Sequence, residues 1–237
     1  MKTRYFGILT VLFALFAGNF ISCSDEYSQA VNQQRIYTIY ELYYNGNTDK
    51  THARATFKFG NSVGTLMKLE ENSKIAFTPA DTSRMHTLSF QPETAVYQRI
   101  YQGYLEAGSF LFTDANGKTY ENHVHTVPAD FPDSLPRIVM GESCSFPWVG
   151  SPLDKEENIT LKINNPDNMD ALSFFRGTEG ASNFLLTADK TAQLSEGEKI
   201  LTLDHRYQPE DINTPSAGGS VTGRYRPKSQ NITPVPE

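Results

Sequence analysis

Three short stretches of this sequence carry residues able to react or to bind an ion. Gly60-Asn61-Ser62-Val63-Gly64 has the Gly-x-Ser-x-Gly spacing in which a strained turn lifts a serine nucleophile into reach. That chemistry needs a strand before the turn and a helix after it. Thr65 to Leu69 reads as strand, so the two glycines suit a plain loop between strands better. Glu121, His123 and His125 alternate, which places all three on one face of a strand, and two imidazoles with a carboxylate are donors that zinc accepts. Tyr120 and Val124 take the core side, so the row faces solvent, where a flat strand seldom closes a tetrahedral shell. Asn165 to Asp170 offers oxygen donors but lacks the glycine and distant glutamate of a calcium-binding loop, and reads as a turn.

Cys144 lies beside Phe146 and Trp148 with no histidine close in sequence, which makes it a small buried hydrophobe and not a nucleophile. Exposed aromatic faces stack on sugar rings, and the chain has 12 tyrosines. Trp148 reads as core, whereas Tyr43, Tyr44, Tyr97 and Tyr101 are the candidates for a carbohydrate platform, because so many tyrosines do not all fit inside small sandwiches. Lys and Arg total 21 against 27 Asp and Glu, a net charge of -6. An acidic chain with no basic cluster and no glycine-rich phosphate loop is a poor partner for nucleic acid or nucleotides. No cofactor is expected.

The elements that must position these residues are strands. Arg35–Tyr44 is apolar on both faces and runs into Asn45-Gly46-Asn47, which reads as a central strand and a turn. In His52–Phe59, Ala53, Ala55, Phe57 and Phe59 alternate with polar residues, so one face meets a core. Asn116-Gly117 supplies the positive φ angles of a hairpin before Lys118–His125. Ala95–Tyr104 has tyrosines at helical spacing, yet its composition favours strand. Val127–Pro136 carries three prolines and marks a stiff linker. Beyond it, Arg137–Met140, Cys144–Val149, Asn158–Ile163, Ala171–Phe175, Ser182–Thr187, Lys199–Asp204 and Ser220–Arg226 read as strands, with Arg224 and Arg226 outward.

Short strands in both halves, without a long amphipathic helix, predict an all-β protein of two tandem immunoglobulin-like antiparallel β-sandwich domains. The expected division is a signal segment over 1–22, a tether over 23–34, sandwiches over 35–127 and 137–226, a proline-rich linker over 128–136 and a proline-rich tail over 227–237 that lies along the surface or is disordered.

At the N-terminus, Lys2 and Arg4 precede an apolar run from Tyr5 to Ala17 that is too short to span a membrane. Phe20-Ile21-Ser22-Cys23 follows and resembles the lipobox of bacterial lipoproteins, with Phe20 where leucine is usual. The resemblance implies that Cys23 becomes the mature N-terminus and carries acyl chains in outer-membrane lipid. Loss of Lys2 and Arg4 with the signal takes the net charge from -6 to -8. Ser24-Asp25-Glu26 resembles the short export tag of Bacteroides-type surface lipoproteins, which implies a cell-surface location, with a periplasm-facing protein as the alternative. Asp133-Ser134-Leu135 resembles the O-glycan acceptor of the same group, with a plain turn as the other reading.

The function expected from these features is a noncatalytic envelope module that binds a polysaccharide or another envelope protein. The alternatives are a hydrolase or metal-dependent enzyme using Ser62 or the Glu121/His123/His125 row, and a structural subunit of a surface assembly.

Overall fold

Alternating burial runs along nearly every long strand of the structure, a computed structural model that describes residues 26–27, 31–70, 72–164 and 171–236. The lipobox with Cys23 and the Asn165–Asp170 loop lie outside the described residues. The first half contains β1 (Glu26–Tyr27), β2 (Ile36–Asn45), β3 (Lys50–Phe59), β4 (Leu66–Lys68) and β5 (Lys74–Pro79). It continues with β6 (His86–Thr87), β7 (Ser89–Gln91), β8 (Val96–Gln102), β9 (Ala107–Thr113) and β10 (Thr119–His125). The second half contains β11 (Ala129–Asp130), β12 (Cys144–Pro147), β13 (Val149–Gly150), β14 (Glu157–Asn164), β15 (Ala171–Arg176) and β16 (Asn183–Leu186). A single-turn helix α1 (Ala188–Thr191) precedes β17 (Lys199–Tyr207), β18 (Gly219–Arg226) and β19 (Gln230–Ile232).

The fold is an all-β sandwich with two hydrophobic cores. In the first core, Tyr40 and Phe57 of the large sheet meet Phe77, Phe110, Phe112 and Tyr120 of the four-stranded sheet β10-β9-β5-β6. The rings interlock, with Tyr40 stacked on Phe110 at 5.1 Å and Phe57 tilted against Phe112 at 4.8 Å. Full burial of each such side chain stabilises the fold by roughly 1.5–3 kcal/mol. The second core is more aliphatic: Ile159, Leu161, Ile163, Leu201 and Leu203 pack against Phe146 and Phe184 of the β12–β16 pair. Trp148 is in this core, its ring edge-on to Phe184.

The two cores share one sheet. β18 pairs in parallel with β2, Gly219–Arg226 against Thr38–Asn45, and antiparallel with β17 through His205–Tyr207. Among the described residues the resulting sheet has 11 strands. β18, expected over Ser220–Arg226 as the last strand of the second sandwich, thus also hydrogen-bonds to the first, and its Val221 packs in the first core. Gly223 permits the crossing. A Cβ on it would stand 1.6 Å from the His125 carbonyl oxygen, so no other residue fits where the end of β10 passes over β18.

Several segments pack more closely than their composition suggests. The proline-rich stretch buries Ala129 in the second core and pairs β11 with β13. Val31 packs on the first core, and Asn32 caps a 3-10 turn over Gln33–Arg35, so these residues of the expected tether belong to the fold. In the tail, β19 adds to β17 and Val235 bridges Val139, so the described part of 227–237 is ordered against the second half. Arg137–Met140 is not a strand: its Ile138 is core, but Val139 makes an isolated bridge. Ala95–Tyr104 does form a strand, β8, entered through Ala95 at φ 52°.

Candidate binding surfaces

Two surfaces collect polar side chains from both halves where the cores join. The first is the outward face of the shared sheet. Register aligns Glu41 with Arg54 and Tyr43 with His52 across β2 and β3. It sets Arg224 beside Tyr43 and Arg206 beside Arg224. Tyr43 is only 6% exposed because guanidinium groups cover it. The Arg224, Arg54 and Arg226 guanidinium carbons lie 4.6, 5.5 and 5.7 Å from its ring centroid, and His52 stacks alongside. Such contacts fix the planes of otherwise mobile side chains.

Carboxylates complete the arrangement from below. Arg224 donates from Nε to Asp204 Oδ1 at 2.7 Å and from Nη2 to Oδ2, and Arg226 Nη2 donates to the same Oδ2 at 2.6 Å. Burial pushes the Asp204 carboxyl up, but the two guanidinium groups outweigh it and hold the carboxyl below the usual range. Glu41 accepts from Arg54 at 3.2 Å and lies 3.5 Å from Arg224. Gln98 Oε1 on β8 accepts from Arg54 Nε at 2.8 Å. Burial, assisted by the charge on Arg54, lowers the His52 pKa and keeps the ring neutral.

The second surface is a groove between the end of β10 and the 154–157 turn. The His125 and Tyr207 rings touch at 3.8 Å between centroids and divide it. On one side a cavity of about 320 Å³ is lined by Ser109, His123 and His125 with Thr78 and Pro79. On the other, about 290 Å³ is lined by Asp154, Lys155, Glu156 and Glu157. Ser109 Oγ and His123 Nδ1 share a hydrogen bond of 2.7 Å. Among the described residues lining that first cavity there is no carboxylate to orient the imidazole as a base.

The residues singled out in the sequence fall unevenly on these surfaces. Ser62 is exposed in the turn between β3 and β4, and the following segment is strand, so no helix completes a nucleophile elbow. Gly64 is a packing glycine there, since a Cβ would stand 1.8 Å from the Phe59 carbonyl oxygen. Glu121, His123 and His125 do face solvent as a row. The metal reading fails on geometry: the two imidazoles turn to different partners, Ser109 and Tyr207, and no set of three His, Cys, Asp or Glu ligands gathers among the described residues.

The tyrosine platform is corrected too. Tyr97 is 7% exposed and its hydroxyl accepts from the Leu69 amide at 2.7 Å, a core role. Tyr101 is covered by Arg99 and packs on Phe77 and His86. Tyr44 packs with Tyr104 and Tyr225 at 5.2 and 5.1 Å, pinning β2 to β18. Tyr43 alone is part of a candidate surface, as the plate beneath the arginines. Ser134 is exposed, and Cys144 is half-buried with its thiol pushed up by burial. Sequence reasoning placed Arg224 and Arg226 outward but missed their union with Arg54, and it missed Ser109. Pairing between strands far apart in the chain brings the arginines together, whereas Ser109 faces His123 across the β9–β10 hairpin, whose Asn116-Gly117 turn was the signal that could have found it.

No protein-family model matches the chain, and no curated protein matches it. Among solved structures it is similar to the chicken CNTN1 FN1-FN3 domains at 8% identity, over 84% of this chain and 66% of that one, with a TM-score of 0.28. A tetra-tandem repeat in the extending region of a large adhesion protein matches at 14% identity, over 84% and 49%, also with a TM-score of 0.28. A 1.5-MDa bacterial ice-binding adhesin matches at 11% identity, over 85% and 65%, with a TM-score of 0.24. The chain therefore spans from 49% to 66% of the length of these structures. At such TM-scores the fold assignment rests on the strand pairing of this chain itself.

Proposed function

We propose that this protein is a noncatalytic, lipid-anchored module of a bacterial outer membrane that presents a rigid sheet face to a polysaccharide or another envelope protein. The observation that carries the reading is the shared sheet: β18 joins both halves, and the joint displays arginines immobilised on Tyr43. Rigid side chains lose little entropy on binding, which is what a recognition surface requires. The lipobox ending at Cys23 supports the anchor, and Ser24-Asp25-Glu26 supports an outward-facing location. Pull-down of envelope extract and glycan panels with the full chain tests the binding; capture of neither class overturns it. Mass spectrometry of the mature N-terminus tests the anchor, and an unmodified Cys23 removes it. Protease shaving of intact cells separates a surface protein from a periplasm-facing one, and glycan staining lost in Ser134→Ala tests Ser134 as an acceptor.

One contact favours a second reading, hydrolysis. Ser109 and His123 form a hydrogen-bonded pair in a cavity, as a nucleophile and base would. Labelling by a fluorophosphonate probe that disappears in Ser109→Ala establishes it. Labelling unchanged in that variant, or none at all, rejects it.

A further inference from the structure

The outward face at the joint has a charge opposite to that of the chain. Lys50 and Arg54 on β3, Arg224 and Arg226 on β18 and Arg206 on β17 alternate outward, against Glu41 and Asp204. The whole sequence carries an excess of acidic groups, at -6. Cations are therefore concentrated on a face that crosses neighbouring strands, each about 4.8 Å from the next.

These cations are held and still reachable. The side chains of Arg224, Arg226 and Arg54 are 18%, 27% and 33% exposed. Asp204 takes the Nε and Nη2 atoms of Arg224 and Arg226, Glu41 lies by Arg224 Nη1, and Gln98, Glu41 and His52 border Arg54. Arg226 Nη1 is in none of these contacts, and each engaged Nη carries a second N–H that an acid can meet. Arg206 is 47% exposed at the margin. Between the cations stand hydrogen-bonding groups suited to hydroxyls: Gln98, Thr222 and the neutral His52. A face with cations clustered on Tyr43 and polar groups around them complements an extended polymer that bears both acids and hydroxyls.

We propose that this face binds an acidic polysaccharide, with Arg54, Arg224 and Arg226 holding its carboxylate or sulfate groups. The inference rests on the binding function proposed above and assigns its ligand class and its site.

The test is affinity electrophoresis of the full chain in gels containing polygalacturonate, chondroitin sulfate or neutral dextran. Single-stranded DNA and phosphatidylglycerol vesicles are assayed in parallel. Retardation by one of the two acidic glycans and not by dextran is expected. It weakens with added salt, as screened charges must, and falls at least about tenfold in Arg54→Gln/Arg226→Gln, a loss of about 1.4 kcal/mol. Should that variant lose its fold, Lys50→Gln/Arg206→Gln on the exposed margin decides, with a loss of about threefold or more expected. Dextran retardation equal to that of the acidic glycans, or acidic-glycan binding unchanged in the folded variants, overturns the assignment and leaves the general binding function standing. DNA or vesicles bound more tightly than either glycan overturn the ligand class. No retardation by either acidic glycan also overturns the inference, and the binding function falls with it only if envelope extract and the glycan panels yield no partner.

Discussion

The sheet face and the groove lie at the same joint and have opposite chemistry. On the face, guanidinium groups outnumber carboxylates and each is fixed by a ring or an acid beneath it. In the groove, Asp154, Glu156 and Glu157 stand around one lysine, and Lys155 is drawn away to Glu210 at 3.1 Å. In the groove His123 bonds to Ser109 and His125 lies on Tyr207, whereas the arginines of the face share partners in a network. A network of that kind preserves geometry when a ligand arrives; paired contacts on a groove wall give way more readily. The joint thus carries a cationic face and a separate acidic cleft. Both depend on β18.

The largest effect should come from breaking the joint itself. Gly223→Ala drives a Cβ into the His125 carbonyl, and because backbone meets backbone the clash cannot relax through a rotamer. A loss above about 4 kcal/mol in urea denaturation is expected, with both surfaces lost together. Unchanged stability would mean that β10 does not cross β18 as described.

Core truncations ask whether the two halves unfold as one. Phe57→Ala in the first core and Leu203→Ala in the second should each cost about 3 kcal/mol. A sheet common to both cores predicts that either substitution shifts a single transition. Two separable transitions in calorimetry, each moved by one variant only, would show that β18 does not couple the halves.

Asp204→Asn tests the face. It leaves Arg224 and Arg226 without their shared carboxylate, and about 2 kcal/mol of stability should be lost, since these arginines are partly solvated and keep some compensation from water. Its carboxyl is held below 3.8, so the wild type keeps this contribution above that value and loses it as pH falls through the lower folded value; the variant should lack that acid-range loss.

The smallest effect concerns the buried side of the joint. His205 is 1% exposed with Nε2 3.3 Å from Glu157 Oε2. Burial lowers its pKa, and Glu157 and Asp204 oppose this without reversing it. The unfolded chain therefore takes up a proton more readily than the folded one. Stability is full above the ordinary value of 6.5 and declines as pH drops below it toward the folded value. Tm measured at about pH 7.5 and about pH 5.5 should fall in the wild type and fall less in His205→Gln. An equal fall in both proteins sets the titration elsewhere.

Much of the fold was legible because burial has a period. Ala53, Ala55 and Phe57 announced the core side of β3, Ile159, Leu161 and Ile163 that of β14, and Arg224 and Arg226 the outward side of β18. The tyrosines misled because tyrosine is at home in a core when its hydroxyl finds a partner, as Tyr97 does at Leu69. The proline-rich segment misled as well, since its prolines leave the residues between them able to pack, as Ala129 does.

Alternation within a few residues was enough to say which side of β3, β10 and β14 meets oil and which meets water, whereas β2 showed apolar residues on both sides. Only the tertiary structure decided that β2 takes β18 as its parallel neighbour, that Gly223 lies beneath His125, and that Tyr43 supports Arg54 and Arg224 together. The physical reason is that side-chain period fixes a face but not a neighbour. Neighbours are chosen by the fit of whole surfaces folded back from distant parts of the chain.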